Sequence, residues 1–152
     1  MTFALHSPVF QNGGAIPDRY ARSGDNISPP LRWSGAPAEA KSFILAVEDP
    51  DAPSGSFWHW AIHGLNAGQD ELPEGAGAEE TDRRQGVNDF GNARYDGPAP
   101  PRGHGAHHYR FRIAALDVGQ LDLPPDAKAE SVWDTARPHM IDEAELIGTF
   151  ER

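Results

Sequence analysis

Sixteen glycines and fourteen prolines run through a chain of 152 residues. They leave little room for long helices. Proline removes a backbone donor and breaks helix interiors, and glycine lowers the stability of any regular element that contains it. Short strands joined by ordered loops are the expectation. Four Trp, seven Phe and 38% apolar residues supply enough material for a packed core. No internal repeat and no linker interrupts the chain, so residues 1–152 are read as one domain.

Hydrophobic periodicity places the main elements. Phe43-Ile44-Leu45-Ala46-Val47 is apolar without alternation, short and partly β-branched. It reads as a central strand covered on both faces, stopped by Glu48-Asp49-Pro50. Trp58 to Leu65 alternates, with Trp58, Trp60 and Ile62 expected on one face and His59, Ala61 and His63 on the other. From His107 to Leu116, His107, Tyr109, Phe111, Ile113 and Ala115 share a face, polar at its start and apolar after it. Leu31-Arg32-Trp33 reads as a short strand and Ala144 to Phe150 as a last one. Ala129, Val132, Trp133 and Ala136 have helical spacing, with Pro138 at the end of that helix. Asn12-Gly13-Gly14 carries a hairpin-type turn signal. Residues 66–106 are irregular, with an acidic run at Glu79-Glu80-Thr81-Asp82; the segment is either ordered by packing or contains short strands. The fold class is mainly β, with one or two short helices.

Charge and composition exclude several functions. The formal net charge is -10, a field that repels nucleic acid and anionic membrane surfaces. There is no cysteine, hence no disulfide, thiol catalysis or thiolate metal site. No stretch approaches the ~20 apolar residues of a membrane span. The start, Met1 to Pro8, lacks a basic region followed by an apolar run, and a cytoplasmic location without integral membrane association is the expectation.

Three segments carry candidate chemistry. Asp49-Pro50-Asp51-Ala52-Pro53-Ser54-Gly55 holds two carboxylates in a bend stiffened by two prolines, one of whose X–Pro bonds is expected to be cis. The plainer reading is an Asx turn, in which the aspartates bond their own backbone. In Phe57-Trp58-His59-Trp60 the histidine is either packed and satisfied or part of a site. Pro100-Pro101-Arg102-Gly103-His104-Gly105-Ala106-His107-His108-Tyr109 gathers three imidazoles and a phenol. His107 and His108 point to opposite faces of a strand, so at most one of them joins His104. With no H-E-x-x-H helix beside them, no metal or cofactor is expected. His and Tyr supply N–H and O–H donors for an oxyanion, and an Asp beside a His fixes its tautomer. The combination reads as an anion pocket with an acceptor end for an ammonium or hydroxyl. An acid–base hydrolase, metal-assisted or not, is the alternative, but no G-x-S-x-G elbow or P-loop supplies a nucleophile or phosphate cradle.

These motifs closely resemble those of the phosphatidylethanolamine-binding family, in its bacterial Raf-kinase-inhibitor-like branch. D-P-D-A-P-S stands as Asp49 to Ser54, W-H as Trp58-His59, and P-P-x-G-x-x-H-x-Y as Pro100 to Tyr109. The stretches Ser28 to Gly35, Gly86 to Gly91 and Ala144 to Thr149 are similar too. The resemblance implies an antiparallel β-sandwich-like fold and a ligand pocket built from Asp49, Asp51, His59, Pro101, His107 and Tyr109. It implies a soluble binding protein for phosphate or a phosphorylated head group, with room for a kinase-like protein partner and for a homodimer. The chain departs from the usual pattern at His108, Ala99 and His63. His108 is expected on the reverse face.

Overall fold

The computed structural model describes residues 2–79 and 83–152. Glu80, Thr81 and Asp82 of the acidic run lie outside the described residues. In chain order the elements are β1 (Ala4–His6), β2 (Leu31–Ser34), β3 (Ser42–Asp49), β4 (Phe57–Asn66), β5 (Glu71–Leu72), β6 (Arg84–Gln85), β7 (His107–Leu116), α1 (Ala129–Ala136) and β8 (Met140–Phe150). Short 3₁₀ turns stand at Asp18–Tyr20 and Arg137–His139. The small sheet has the order β1-β2-β5 and the large one β6-β4-β3-β7-β8. Every strand pair in them is antiparallel.

Two cores explain the strand patterns. The first lies between the sheets and takes Phe43, Leu45 and Val47 from β3, with Tyr109, Phe111 and Ile113 from β7. The second lies between the large sheet and α1, and takes Ile44 and Ala46 from β3 with Ala129, Val132, Trp133 and Ala136 from the helix. Strand β3 is therefore buried at all eight positions, as an uninterrupted apolar run requires. The helix ends where the spacing predicts, and Pro138 falls in the 3₁₀ turn behind it.

Strand β4 departs from simple alternation. Val47 pairs with Trp60 and Glu48 with Trp58, so one step on β3 faces two on β4. His59 is the additional residue of a β-bulge. The expected common face of Trp58, Trp60 and Ile62 is split: Trp60 and Ile62 enter the first core, while Trp58 joins Ala61 in the second. A second register shift, between Phe43 and Leu45 of β3, falls opposite Ile62 to Leu65. There Gly64 takes φ +67°, and Leu65 returns to the first core.

The described residues of 66–106 are packed rather than loose. They contain β5 and β6, and they bury Tyr95 and Asp96. Asn12-Gly13-Gly14 does form a turn, closed by the Gly14 N–H on the Gln11 carbonyl, but it closes no hairpin. The Gly13 N–H donates instead to the Ile147 carbonyl of β8, and Ala15 bridges Thr149 in parallel. The expected cis proline is absent: the described residues contain no cis peptide bond. The bend after β3 is made by other means. The Asp51 N–H donates to Asp49 Oδ1 at 2.8 Å, and the Gly55 N–H closes a turn on the Ala52 carbonyl. This Asx geometry needs no proline isomer.

Candidate functional site

At one end of the first core, three segments meet around a hollow of about 250 Å³. Its polar lining is Asp49, Ser54, His59 and His107; its apolar walls include Phe57, Phe90, Pro100 and Pro101. Asp49 and His107 sit near the ends of β3 and β7, on the face of the large sheet that packs against the small one. His59 joins them because of the bulge. Strict alternation from Trp60 would send His59 to the helix side; the additional residue turns it back. Its ring lies 5.3 Å from that of Tyr109 and 5.1 Å from that of Phe57, centroid to centroid.

Each imidazole has its Nδ1 fixed by an acceptor. His59 Nδ1 lies 2.8 Å from the Asp96 carbonyl oxygen. A carbonyl only accepts, so Nδ1 carries the proton and Nε2 of the neutral ring bears a lone pair. His107 Nδ1 lies 2.7 Å from Asp49 Oδ2, with both side chains buried. Its Nε2 meets Nδ1 of His104, so His107 is the strand histidine that joins His104. A relay thus runs from Asp49 through His107 to His104 on the exposed loop. Burial lowers the affinity of His59 for a second proton, outweighing the Asp96 carbonyl and the nearby Asp49 charge.

Of the remaining expected residues, one lines the hollow and two do not. Pro101 lines the hollow. Tyr109 does not; its ring is fully buried beneath the two imidazoles, 6.5 Å from His107. Its hydroxyl is buried, and neither Asp49 nor the Ala99 amide nearby forms a hydrogen bond with it. Burial, then the Asp49 charge, push this phenol far above its usual range, so it stays protonated. Asp51 also leaves the hollow. Its Oδ2 accepts from the backbone N–H and the ring Nδ1 of His108, both at 2.8 Å. Partial burial raises the Asp51 pKa, but these two donors outweigh it and hold the carboxyl below its usual range. His108 is exposed on the reverse face, as strand alternation requires. Among the described residues no group of three or more His, Cys, Asp or Glu could hold a metal.

Sequence reasoning missed the support behind His59. Asp96 is buried, and its carboxylate accepts from Asn26 at 2.9 Å, Asn88 at 2.8 Å and Asn92 at 2.9 Å. Burial raises its pKa, but the three amides, and after them the Arg94 charge, hold it below the usual range. Asn26 adopts φ +56° and also accepts the Gly97 N–H at 2.7 Å, which fixes the Asp96-Gly97 peptide that presents its carbonyl to His59. Phe90, on which the Arg22 guanidinium stacks at 4.1 Å, was equally invisible. The similar stretch Gly86 to Gly91 was the one signal that pointed there.

Two antiparallel sheets with a side-chain-lined hollow at one end of their shared core define a β-sandwich domain built around a buried Asp–His pair. A sequence profile of the phosphatidylethanolamine-binding protein family matches residues 6–151. A UPF0098 protein of Methanothermobacter thermautotrophicus is 44% identical over 97% of this chain and 98% of its own length. YbhB of Escherichia coli, also a UPF0098 protein, is 37% identical over 96% and 98%. The solved structure of E. coli YbcL, described as a member of the mammalian PEBP family, superposes with a TM-score of 0.95 at 32% identity, covering 100% of this chain and 99% of that one. The chain belongs to the phosphatidylethanolamine-binding protein family. Among its described residues no helix is long and apolar enough to cross a membrane.

Proposed function

We propose that the chain is a cytoplasmic binding protein for a small phosphate- or carboxylate-bearing molecule, held in the hollow between His59, His107 and the Pro100-Pro101 wall. The observation that carries this reading is the pair of buried imidazoles, each with Nδ1 fixed by an acceptor and each lining the same 250 Å³ hollow. That volume lies below the ~300–1,000 Å³ of drug-sized sites, so a head-group-sized ligand fits. Phe57, Phe90 and the prolines give such a ligand an apolar flank. The family's name supports a phosphorylated amino alcohol as one candidate. A kinase-like protein partner belongs to the same reading, with the hollow as the point of control.

The tautomer assignment sharpens the chemistry. Near neutral pH His59 turns a lone pair, not a proton, toward the ligand. A hydrogen phosphate, or an ammonium, brings its own proton to that nitrogen; a fully ionised anion binds only once the ring has taken up a proton from solvent. Both routes strengthen anion binding as pH falls. Isothermal titration with inorganic phosphate and with O-phosphoethanolamine tests this. Saturable binding near millimolar concentration, tighter at pH 6 than at pH 8, is expected. It should weaken by about tenfold or more in His59→Ala, in His107→Ala and in Asp49→Ala. The last acts by releasing the His107 ring. No binding at about 10 mM, well beyond the millimolar affinities of weak small-ligand sites, would remove the proposal.

The hydrolase reading draws on the Asp49–His107–His104 relay and on Ser54, which lines the hollow. No hydrogen bond joins Ser54 to either imidazole, so the nucleophile–base contact is missing. Ester or phosphoester turnover that disappears in His107→Ala would reverse this preference.

A further inference from the structure

We infer that the chain has a second oxyanion site, around His63 and Arg84, at the other end of β4. It is independent of the hollow at His59. His63 lies four positions after His59, about 13 Å along a strand. His63 pairs with Arg84 of β6, the edge strand of the large sheet. Two adjoining cavities, of about 510 and 380 Å³, share His63, Arg83, Arg84 and Gln120 in their walls. Gly64, Leu65, Gln69 and Gly119 complete the first, and the second also includes Leu123 and Pro124.

Three observations point to an anion. First, Arg84 has no carboxylate within ion-pair distance among the described residues, although Arg19, Arg22, Arg32, Arg94, Arg110, Arg112 and Arg137 each have one. Arg102 and Arg152 share that state but line none of the cavities described. In a chain of net charge -10, a cationic cavity wall is the exception. Second, the Arg84 side chain lies across Gly64. A Cβ at Gly64 would meet Arg84 Cδ at 3.4 Å and Nη1 at 3.7 Å, ordinary contact distances, so the guanidinium rests in van der Waals contact with β4 beside His63.

Third, the His63 ring is set up as a donor. Its Nδ1 is buried and has no hydrogen-bond partner. A proton there would be buried without an acceptor, so the neutral ring keeps its proton on Nε2, the nitrogen with access to the cavities. This is the reverse of His59, whose Nδ1 holds the proton. A neutral N–H beside a guanidinium suits an oxyanion: the arginine offers its fork and the imidazole a further donor. Burial, then the Arg84 charge, hold His63 in that neutral form. The ligand class is a compact phosphate- or carboxylate-type oxyanion, held by Arg84 and His63 with the backbone at Gly119–Gln120 as the far wall.

Titration of the full ¹⁵N-labelled chain with inorganic phosphate, followed through backbone and imidazole resonances, tests the site. In the wild type, the signals of His63, Gly64 and Gly119 should shift and saturate near millimolar phosphate. They should do so equally in the His59→Ala/His107→Ala double variant, which separates this site from the other hollow. In Arg84→Gln the response should weaken by at least tenfold, while the Arg84→Lys variant, which keeps the charge but loses the fork, should fall between. Shifts at Gly64 and Gly119 that stay linear in phosphate, or that survive unchanged in Arg84→Gln, overturn the site. So does the absence of any shift in the wild type, a result that needs no variant to fold.

Discussion

At the scale of single residues, the site depends on what fixes each ring nitrogen. Asp49 and the Asp96 carbonyl settle the protons of His107 and His59. His104 adds a further control, because it occupies the nitrogen of His107 that a ligand would use. His104 stands between Gly103 at φ +75° and Gly105 at φ +84°, on an exposed loop. A ligand that reaches His107 Nε2 must therefore displace the His104 ring. A hydrogen bond of this kind is worth about 0.5–1.5 kcal/mol net, so His104→Ala should tighten phosphate binding by roughly 2- to 10-fold. Calorimetric titration of the variant checks this. Weaker binding would instead make His104 a ligand contact.

At the scale of elements, the decisive device is the bulge in β4. It moves His59 from the helix side to the face that carries Asp49 and His107, at the expense of separating Trp58 from Trp60. The bulged ring is then held by a segment with no regular structure, 88–97, through the Asn–Asp96 network. Gly97 is the tight point. A Cβ there would lie 2.0 Å from the Tyr20 carbonyl oxygen, a contact with backbone that no rotamer relieves. Gly97→Ala should lower stability by roughly 1–3 kcal/mol, as overpacking does, and should also loosen His59. Urea unfolding measures the first effect. The His59 imidazole resonances measure the second, and unchanged resonances in a destabilised variant would show that the carbonyl clamp is not what orients the ring.

At the scale of the molecule, pH couples the buried groups to folding. His59 and His63 have depressed proton affinity in the fold, chiefly through burial. In the unfolded chain a histidine takes up its proton near pH 6.5. Below that value the unfolded state binds more protons than the native state, so stability rises with pH and is lost on acidification. Asp96 and Asp51, both lowered in the fold, extend the loss further, below about pH 4 where unfolded carboxylates protonate. The urea midpoint should therefore be level from pH 8 to 7 and fall from about 6.5 toward 5. A midpoint that stays flat or rises over that window would contradict the buried neutral state of these two rings.

Alternation and apolar runs read β3, β7 and α1 from the sequence, and β8 from Ala144 onward, because each of these stretches obeys one period; the first residues of β8, Met140 to Glu143, are mostly exposed and carry no such pattern. The residue types in three segments marked Asp49, His59 and His107 as candidates with plainer structural readings beside them, and the resemblance of the motifs at these positions drew them into one pocket. Tertiary structure decided the rest. No local pattern records that β3 lacks one residue opposite His59, yet that register shift chooses the side on which the ring emerges. Asp51 and Tyr109 left the hollow for a similar reason: their nearest partners, His108 and the buried core, come from other strands. Asn26, Asn88 and Asp96 are separated by up to 70 residues, and only the folded chain brings their amides to one carboxylate. Periodicity is a property of neighbours in the chain, whereas hydrogen-bond satisfaction in a buried site is a property of neighbours in space.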